Sequence, residues 1–524
     1  MIKKYNYIKV CFLAIVFAGM TSCNDYLDKT PDNRMELKNK DDVASLLVSA
    51  YPTTYPAYLL EMYSDNTDEY RNTSYGAADR FQIQAYNWDD ITVTGNNDDI
   101  AQIWQKNYGA MTTANIAIDF INKQADKSDY SAQLGEAYLC RAYAAFTLTN
   151  IFCNAYDKTT ADNNLGIYYA EENDEHVGMK HERGTLAGTY QKIDEDIQKG
   201  MALVTNTYDH PKFHFTKNAA YAFAARFNLY YQKYDEAIKY ATLALGNNPA
   251  SNLRDWQTWN ALSANDNIQP NAYISSTNNA NILLQTVYSD WGMICGAYGY
   301  GDKYTHGRLV SETETLEADG PWGNSETTMG YKVFSNESIA RHILRKVPAL
   351  IEYINEQTGS GYLHTEFVPF HMDETLMVRA EAYALNKQYN KALADINTEL
   401  SKFTVNGIQL SLKGIKDFYD SMDYYSPTNP TPKKQLNTSF SIDSTTQEPL
   451  LQCILQLRRL ITIHEGLRMQ DIKRYGIEIY RRRVNMNQQV EAVTDVLTKD
   501  DPRRAIQLPQ DVITAGMTPN PRTK

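Results

Sequence analysis

The sequence predicts a mainly α protein in which helical hairpins form a scaffold and a loop-rich, irregular half packs on it. Two observations carry this. Residues 220–245 (AYAFAARFNLYYQKYDEAIKYATLAL) and 372–397 (MDETLMVRAEAYALNKQYNKALADIN) each read as helix, short polar turn, second helix. Ala225 and Ala237 in the first stretch match Ala380 and Ala392 in the second, and Tyr234 matches Tyr389. Small residues at that spacing let two helices cross closely, which is the logic of a tetratricopeptide-like hairpin. The second observation is compositional. Residues 246–334 are rich in Asn, Ser, Gly, Tyr and Trp with weak periodicity, and 421–448 carries Pro and Ser/Thr clusters that read as surface loop.

The elements follow in order. Lys3, Lys4 and Lys9 precede the apolar run VCFLAIVFAG (10–19). That run suits a signal peptide and falls far short of the roughly 20 residues that span a bilayer. The sequence M-T-S-C ends at Cys23, the expected lipid attachment site, with residues 1–22 removed. Acyl chains on that cysteine would anchor the protein, since each buried CH₂ contributes about 0.8 kcal/mol. Helices are then expected at 98–123, 128–153 and 185–204, from apolar residues at i, i+3, i+4 spacing. The two hairpins come next, and a long last helix is expected from about 449 to 482.

Loss of residues 1–22 removes three lysines and no acids, taking the formal charge from −12 to −15. That balance argues against a nucleic-acid partner and against adsorption to anionic lipid. Of six cysteines, Cys140, Cys153, Cys295 and Cys453 remain after Cys11 and Cys23 are set aside. They show no metal-ligand spacing, and buried free thiols are expected at Cys140 and Cys153. No H-E-x-x-H, G-x-S-x-G or G-K-[ST] pattern occurs, so no catalytic residue, metal or cofactor is assigned.

Candidate ligand-binding residues come from two regions. Residues 281–331 hold Tyr288, Trp291, Tyr298, Tyr300, Tyr304, Trp322 and Tyr331 with no Phe. Aromatics that all carry a hydroxyl or indole N–H suit a surface that stacks on sugar rings and bonds their hydroxyls. Trp291, Tyr298, Tyr300 and Trp322 are the candidates there. In the earlier stretch 63–90, Asp65, Asn66 and Arg71 are expected to orient a polyol, with Trp88 as platform. Glu465, Arg468 and Asp471 read instead as an ion-paired network on one helical face.

Four features occur in order along the chain: Cys23 with LDKTP (27–31), IWQKNYGAMTTANIAID (103–119), ETLMVRAEAYALNKQYNKALADIN (374–397), and LRRLITIHEGLRMQDIKRYG (457–476) followed by AIQLPQDVITAGMTPNP (505–521). Together they resemble the SusD/RagB family of Bacteroidetes outer-membrane lipoproteins. The element E-G-x-R-x-x-D-[IL]-x-R is the most specific, here Glu465, Gly466, Arg468, Asp471 and Arg474. Met469 stands where the family usually has Trp or Phe, and the late proline motif is shortened to LPQ.

The resemblance implies a SusD-like fold, no enzymatic activity, and capture of an oligomer, most often a glycan and in a minority a peptide. It implies a partner, a SusC-type TonB-dependent transporter, and an outer-membrane location, lipid-anchored and facing the cell exterior. A surface glycoside hydrolase is the more distant alternative. The expected organisation is a signal peptide at 1–22, an N-terminal region at 23–245, a ligand-facing insertion at 246–334 and a C-terminal region at 335–524. Cys23→Ala is expected to move the protein from the membrane to the soluble fraction on cell fractionation. Retention in the membrane fraction would show that something other than the lipid holds it.

Overall fold

The structure is a computed structural model, and it describes residues 37–70, 78–173, 179–264, 267–297 and 301–522. Cys23, Arg71, Tyr298 and Tyr300 lie outside the described residues. The N-terminal part contains α1 (Lys40–Leu47), α2 (Ala57–Tyr63), strand β1 (Asp68–Tyr70) and α3 (Arg80–Tyr86). The helical scaffold follows with α4 (Ile100–Asn122), α5 (Ser131–Phe152) and α6 (Leu186–Leu203). It continues with the hairpins α7 (Lys217–Tyr230) with α8 (Tyr234–Leu245) and α9 (Met372–Leu385) with α10 (Tyr389–Phe403). Every helix expected up to residue 397 is therefore present. Among the described residues no helix is long and apolar enough to cross a membrane.

The hairpins repeat one another in detail. Ala225, Ala237, Ala380 and Ala392 are all fully buried at the crossings. Both turns use a non-glycine residue in the left-handed region, Gln232 (φ +61°) and Lys387 (φ +58°). Both close the first helix with the same bond, Lys233 N to Asn228 O (2.9 Å) and Gln388 N to Tyr383 O (2.8 Å). That six-residue closure satisfies carbonyls that a helix end leaves open. A closer approach occurs between α5 and α6. A Cβ on Gly135 would sit 2.7 Å from Val204 N, and one on Gly200 2.8 Å from Gly135 O, so neither position has room for a side chain.

Among the described residues three small sheets complete the fold. β2 (Asn281–Tyr288), β7 (Ser360–His371) and β6 (Leu350–Asn355) form one in the order β2-β7-β6. A second runs β3-β1-β8-β9, with β3 (Tyr304–Thr305), β8 (Ile479–Val484) and β9 (Val490–Leu497). β4 (Phe334–Asn336) pairs with β5 (Arg341–Ile343). The parallel pairing of β1 with β8 joins the two ends of the chain.

The long helix expected over 449–482 is instead α11 (Gln447–Ile461), a turn, α12 (Arg468–Tyr475) and then β8. The turn contains His464 at φ +69° and Gly466 at φ +76°. A Cβ on Gly466 would lie 2.7 Å from Ala57 Cα, so α2 packs directly on this glycine and the helix cannot run through it. Glu465 accordingly sits in the turn and does not share a helical face with Arg468 and Asp471. Cys140, Cys153, Cys295 and Cys453 are free and buried.

The tryptophans expected as ligand platforms are core residues. Trp88, Trp291 and Trp322 are 2%, 4% and 3% exposed. The indole N–H of Trp88 donates to Tyr63 O (3.0 Å), that of Trp291 to His464 O (2.8 Å) and that of Trp322 to Ser325 Oγ (2.9 Å). Trp291 stacks on Tyr58 at 5.1 Å, and Trp88 lies under the Arg481 guanidinium at 4.0 Å. A core made partly of irregular segments leaves carbonyls without ladder partners, and a polar-tipped aromatic both fills the space and satisfies them. Tyr331 does the same with Leu316 O (2.9 Å). The preference for Trp and Tyr over Phe was thus a signature of this core.

One buried carboxyl makes no ion pair among the described residues, with Arg254 acting on it only at longer range. Glu399 on α10 is fully buried, with neither oxygen hydrogen-bonded in its ionised form. Burial, reinforced by neighbouring Asp373, pushes its carboxyl well above the usual range. Asp373 already accepts from Trp256 Nε1 (3.2 Å), and a proton kept on Glu399 would be shared with the other carboxyl.

Two outcomes are expected. The folded chain keeps the Glu399 proton that the unfolded chain releases above about pH 4.3, so this residue lowers stability increasingly as pH rises from there. Glu399→Gln keeps a donor toward Asp373 and should melt at or above the parent at pH 7–8, with the difference shrinking toward pH 4. A variant less stable across that whole range would exclude the shared proton. Trp291→Ala should cost about 3–5 kcal/mol in denaturant unfolding, as for large core aromatics. A loss below about 1 kcal/mol would mean that the ring is not core.

Candidate functional site

Asp65 and Asn66 are not presented to a ligand. Asp65 forms a bidentate pair with Arg468 (2.8 and 2.9 Å) and lies 3.3 Å from Arg459. Burial alone would raise its carboxyl, and Arg459 and Arg468 outweigh that and hold it well below the usual range. Asn66 is fully buried, accepting from Arg459 Nε (2.8 Å) and donating to Glu61 Oε2 (2.9 Å). A short polar run has the same composition whether it bonds a sugar or a buried arginine, and here it bonds arginines.

The ion pairing expected at Glu465, Arg468 and Asp471 is present, with each of the three paired to residues outside the trio. Glu465 pairs with Lys346 (2.5 Å) and His371 (3.2 Å) and accepts from Tyr273 OH (2.6 Å). Asp471 pairs with Arg474 (2.8 Å) and Arg458 (3.3 Å). All three motif residues are buried and make no open acid–base pair. Among the described residues no group of three or more His, Cys, Asp or Glu side chains is placed to hold a metal ion.

Exposed aromatics lie elsewhere, on the sheet β2-β7-β6. Side chains alternate across a strand, and the pairings Thr286 with Glu366, Tyr288 with His364 and Glu352 with Tyr362 put these six on one face. Tyr288 is 38% and Tyr362 56% exposed, with ring centroids 6.0 Å apart in an edge-on arrangement. Tyr288 OH donates to Glu352 Oε2 (3.1 Å), and Thr286 Oγ1 donates to Glu366 (3.5 Å). Burial raises the Glu366 carboxyl. Beside this face runs a groove of about 510 Å³, walled by Val48, Tyr51, Phe213 and His214 and floored by β2, with Glu352 and His364 on its rim. His364 Nδ1 is buried there with no hydrogen-bond partner.

The groove's far wall is rigid. Tyr51 OH donates to Glu136 Oε1 (2.6 Å) and accepts from Phe215 N (2.7 Å), and His214 Nδ1 bonds the same carboxylate oxygen (2.7 Å). The arrangement offers tyrosine rings to an apolar ligand face, with two carboxylates and an imidazole to bond hydroxyls around it. Of this set the sequence reading marked only Tyr288. Glu352, Tyr362, His364 and Glu366 sit in LIEYINEQTGSGYLHTEF (350–367), where two extended runs flank T-G-S-G. That hairpin signal was available to find them.

Residues 25–229 match a SusD-like family model described as starch-binding associating with outer membrane. SusD-like protein P38 of Formosa agariphila is 23% identical over 272 residues, which is 51% of this chain and 51% of that protein. The alignment thus spans about half the length of this curated relative. Among solved structures, a SusD superfamily protein from Bacteroides thetaiotaomicron superposes with a TM-score of 0.60 at 17% identity, covering 93% of this chain and 100% of that one. A SusD superfamily protein from Bacteroides vulgatus gives 0.60 at 15% identity over 92% and 98% of the two chains. A laminarin binding SusD-like protein gives 0.54 at 15% identity over 93% and 100%. The N-terminal region thus matches a SusD-like family model, and the fold of nearly the whole chain is that of SusD superfamily structures.

Proposed function

We propose that this protein captures an oligomeric glycan at the outer membrane without altering it and delivers it to a SusC-type TonB-dependent transporter. The observation that carries the reading is the outer face of β2-β7-β6. Tyr288 and Tyr362 stand exposed there, with Glu352, His364 and Glu366 around them. Sugar rings present apolar C–H faces edged by hydroxyls, which is the complement of that surface. The likeness to a laminarin binding protein supports a glycan as ligand class. The lipobox-like Cys23 supports a lipid anchor at the outer membrane, and the family description's association with that membrane agrees.

Peptide capture is the rival reading, and one feature favours it. β6 is the edge of its sheet, and an extended peptide could add to it as a further strand. Calorimetric titration of the purified protein against plant, host and microbial glycans, with oligopeptides alongside, separates the two. A glycan is expected to bind with a negative heat-capacity change and to remain uncleaved on incubation. Tyr288→Ala and Tyr362→Ala should each weaken it about five- to tenfold, as for loss of one stacked ring worth about 1 kcal/mol. A glycan bound equally well by both variants would place the site elsewhere. A peptide hit with no glycan hit would overturn the ligand class.

A further inference from the structure

A second cleft, of about 450 Å³, shares no lining residue with the groove. It is walled by the segment after α5, the loop 437–439, the end of α12 and the turn 499–504. Four cations line it, Lys473, Arg474, Lys499 and Arg504, and of these Lys473 (9% exposed) and Arg504 (5% exposed) are the buried two. Every hydrogen bond that either makes among the described residues goes to a main-chain carbonyl. Lys473 Nζ donates to Asn150 O (2.8 Å) and Cys153 O (2.5 Å). Arg504 donates to Thr498 O (2.7 Å), Ile472 O (3.0 Å), Leu497 O (3.4 Å) and Ile477 O. An ammonium has three N–H donors and a guanidinium five, so each keeps one to give.

The carboxylates lining the cleft have other hydrogen-bonded or ion-paired partners, while Glu478, Asp501 and Asp500 also act on Arg504 at longer range. Asp157 accepts from Thr159 N (2.8 Å) and Oγ1 (2.6 Å). Asp501 pairs with Arg503 (2.9 Å), and the exposed Asp500 lies 3.8 Å from Lys499. Arg474, also at the wall, is neutralised by Glu381 (2.6 Å) and Asp471 (2.8 Å). Asn437, Thr438 and Ser439 add amide and hydroxyl groups to the lining. Lys473, a buried charge held by dipoles alone, is poorly compensated, and a matching ion removes that penalty.

We propose that this cleft binds an oxyanion group, the carboxylate, sulfate or phosphate of an acidic ligand, which pairs with Lys473 and Arg504. The proposal is independent of the glycan face on β2-β7-β6. Burial pushes the Lys473 ammonium down to about 7, with Arg504 adding to the shift and Cys153 opposing it. An anion beside Lys473 favours its charged form, so binding takes up a proton at slightly alkaline pH.

The test is calorimetry at pH 7.5 in two buffers of different ionisation heat. The probes are oligogalacturonate, sodium sulfate, sodium phosphate and a neutral galacto-oligosaccharide of the same length. An anionic probe is expected to bind with net proton uptake. Lys473→Met should weaken it at least about tenfold, the worth of one charge-assisted bond. Lys473→Arg should keep the affinity within a few-fold and abolish the proton uptake. Tyr288→Ala and Tyr362→Ala should leave it unchanged, which separates this cleft from the glycan face.

Binding of oligogalacturonate but not of the salts would identify an acidic glycan, and equal binding of the salts a free oxyanion. Circular dichroism checks that each variant folds. If Lys473→Met does not fold, the proton uptake of the parent and its loss in Lys473→Arg decide. No anion binding at about 10 mM, or binding without proton uptake that survives Lys473→Met, overturns the proposal.

Discussion

The buried ionic network between residues 65–68 and the C-terminal segments is the constraint on which the rest of the structure depends. Asp65 pairs with Arg468, Asp68 with Arg482 (2.7 Å), and Glu314 with both Arg482 (2.7 Å) and Lys434 (2.5 Å). Burial alone would raise Glu314, yet Lys434, Arg482 and Arg459 hold it down at about 2. Partners some 400 residues apart in sequence are fixed here by directional contacts. Apolar packing alone tolerates sliding, whereas a bidentate arginine–carboxylate pair does not. Such a network adds little net stability over a well-packed apolar core, but removal of one member typically costs about 3–5 kcal/mol. Its consequence is register. It sets β1 alongside β8 and brings Gly466 onto α2, and Arg481 then covers Trp88.

The helical scaffold plays a different part, holding one face of a sheet so that the other stays free. Arg226 on α7 forms a bidentate pair with Glu374 on α9 (3.0 and 2.9 Å) and donates to Pro369 O in β7 (2.6 Å). Tyr143 on α5 donates to Gln285 in β2 (2.9 Å), whose amide reaches Pro52 O (2.5 Å) and Thr54 O (3.2 Å). These bonds lock β2 and the end of β7 to helices that are themselves locked by alanine and glycine crossings. The exposed tyrosines therefore stand on a rigid base. A site built that way loses little entropy when a ligand docks.

The helices up to residue 397 were legible because each carries its own signal. Apolar periodicity marks the buried stripe, and small residues at a constant spacing mark the crossing. Break points were less legible. Nothing local in LRRLITIHEGLRMQD forbids a continuous helix except Gly466, and what ends α11 there is Ala57, brought in from the other end of the chain. The tryptophans failed for a related reason. Composition reports that an aromatic has a polar tip, and only the fold reports whether that tip meets a sugar hydroxyl or an orphaned carbonyl.

The sequence by itself determined the mainly α class, the two matching hairpins, the free thiols at Cys140 and Cys153, the structural role of the Glu465–Asp471 element and the family resemblance. Each depends on residues near one another in the chain or on a motif read as a string. Tertiary structure alone decided that Trp88, Trp291, Trp322, Asp65 and Asn66 are interior, and that Tyr288 and Tyr362 share an open face. It also placed Lys473 beside Arg504 with its hydrogen bonds, among the described residues, going to main-chain carbonyls. Exposure and charge pairing are properties of segments that meet only after folding, and no local pattern encodes which segments those are.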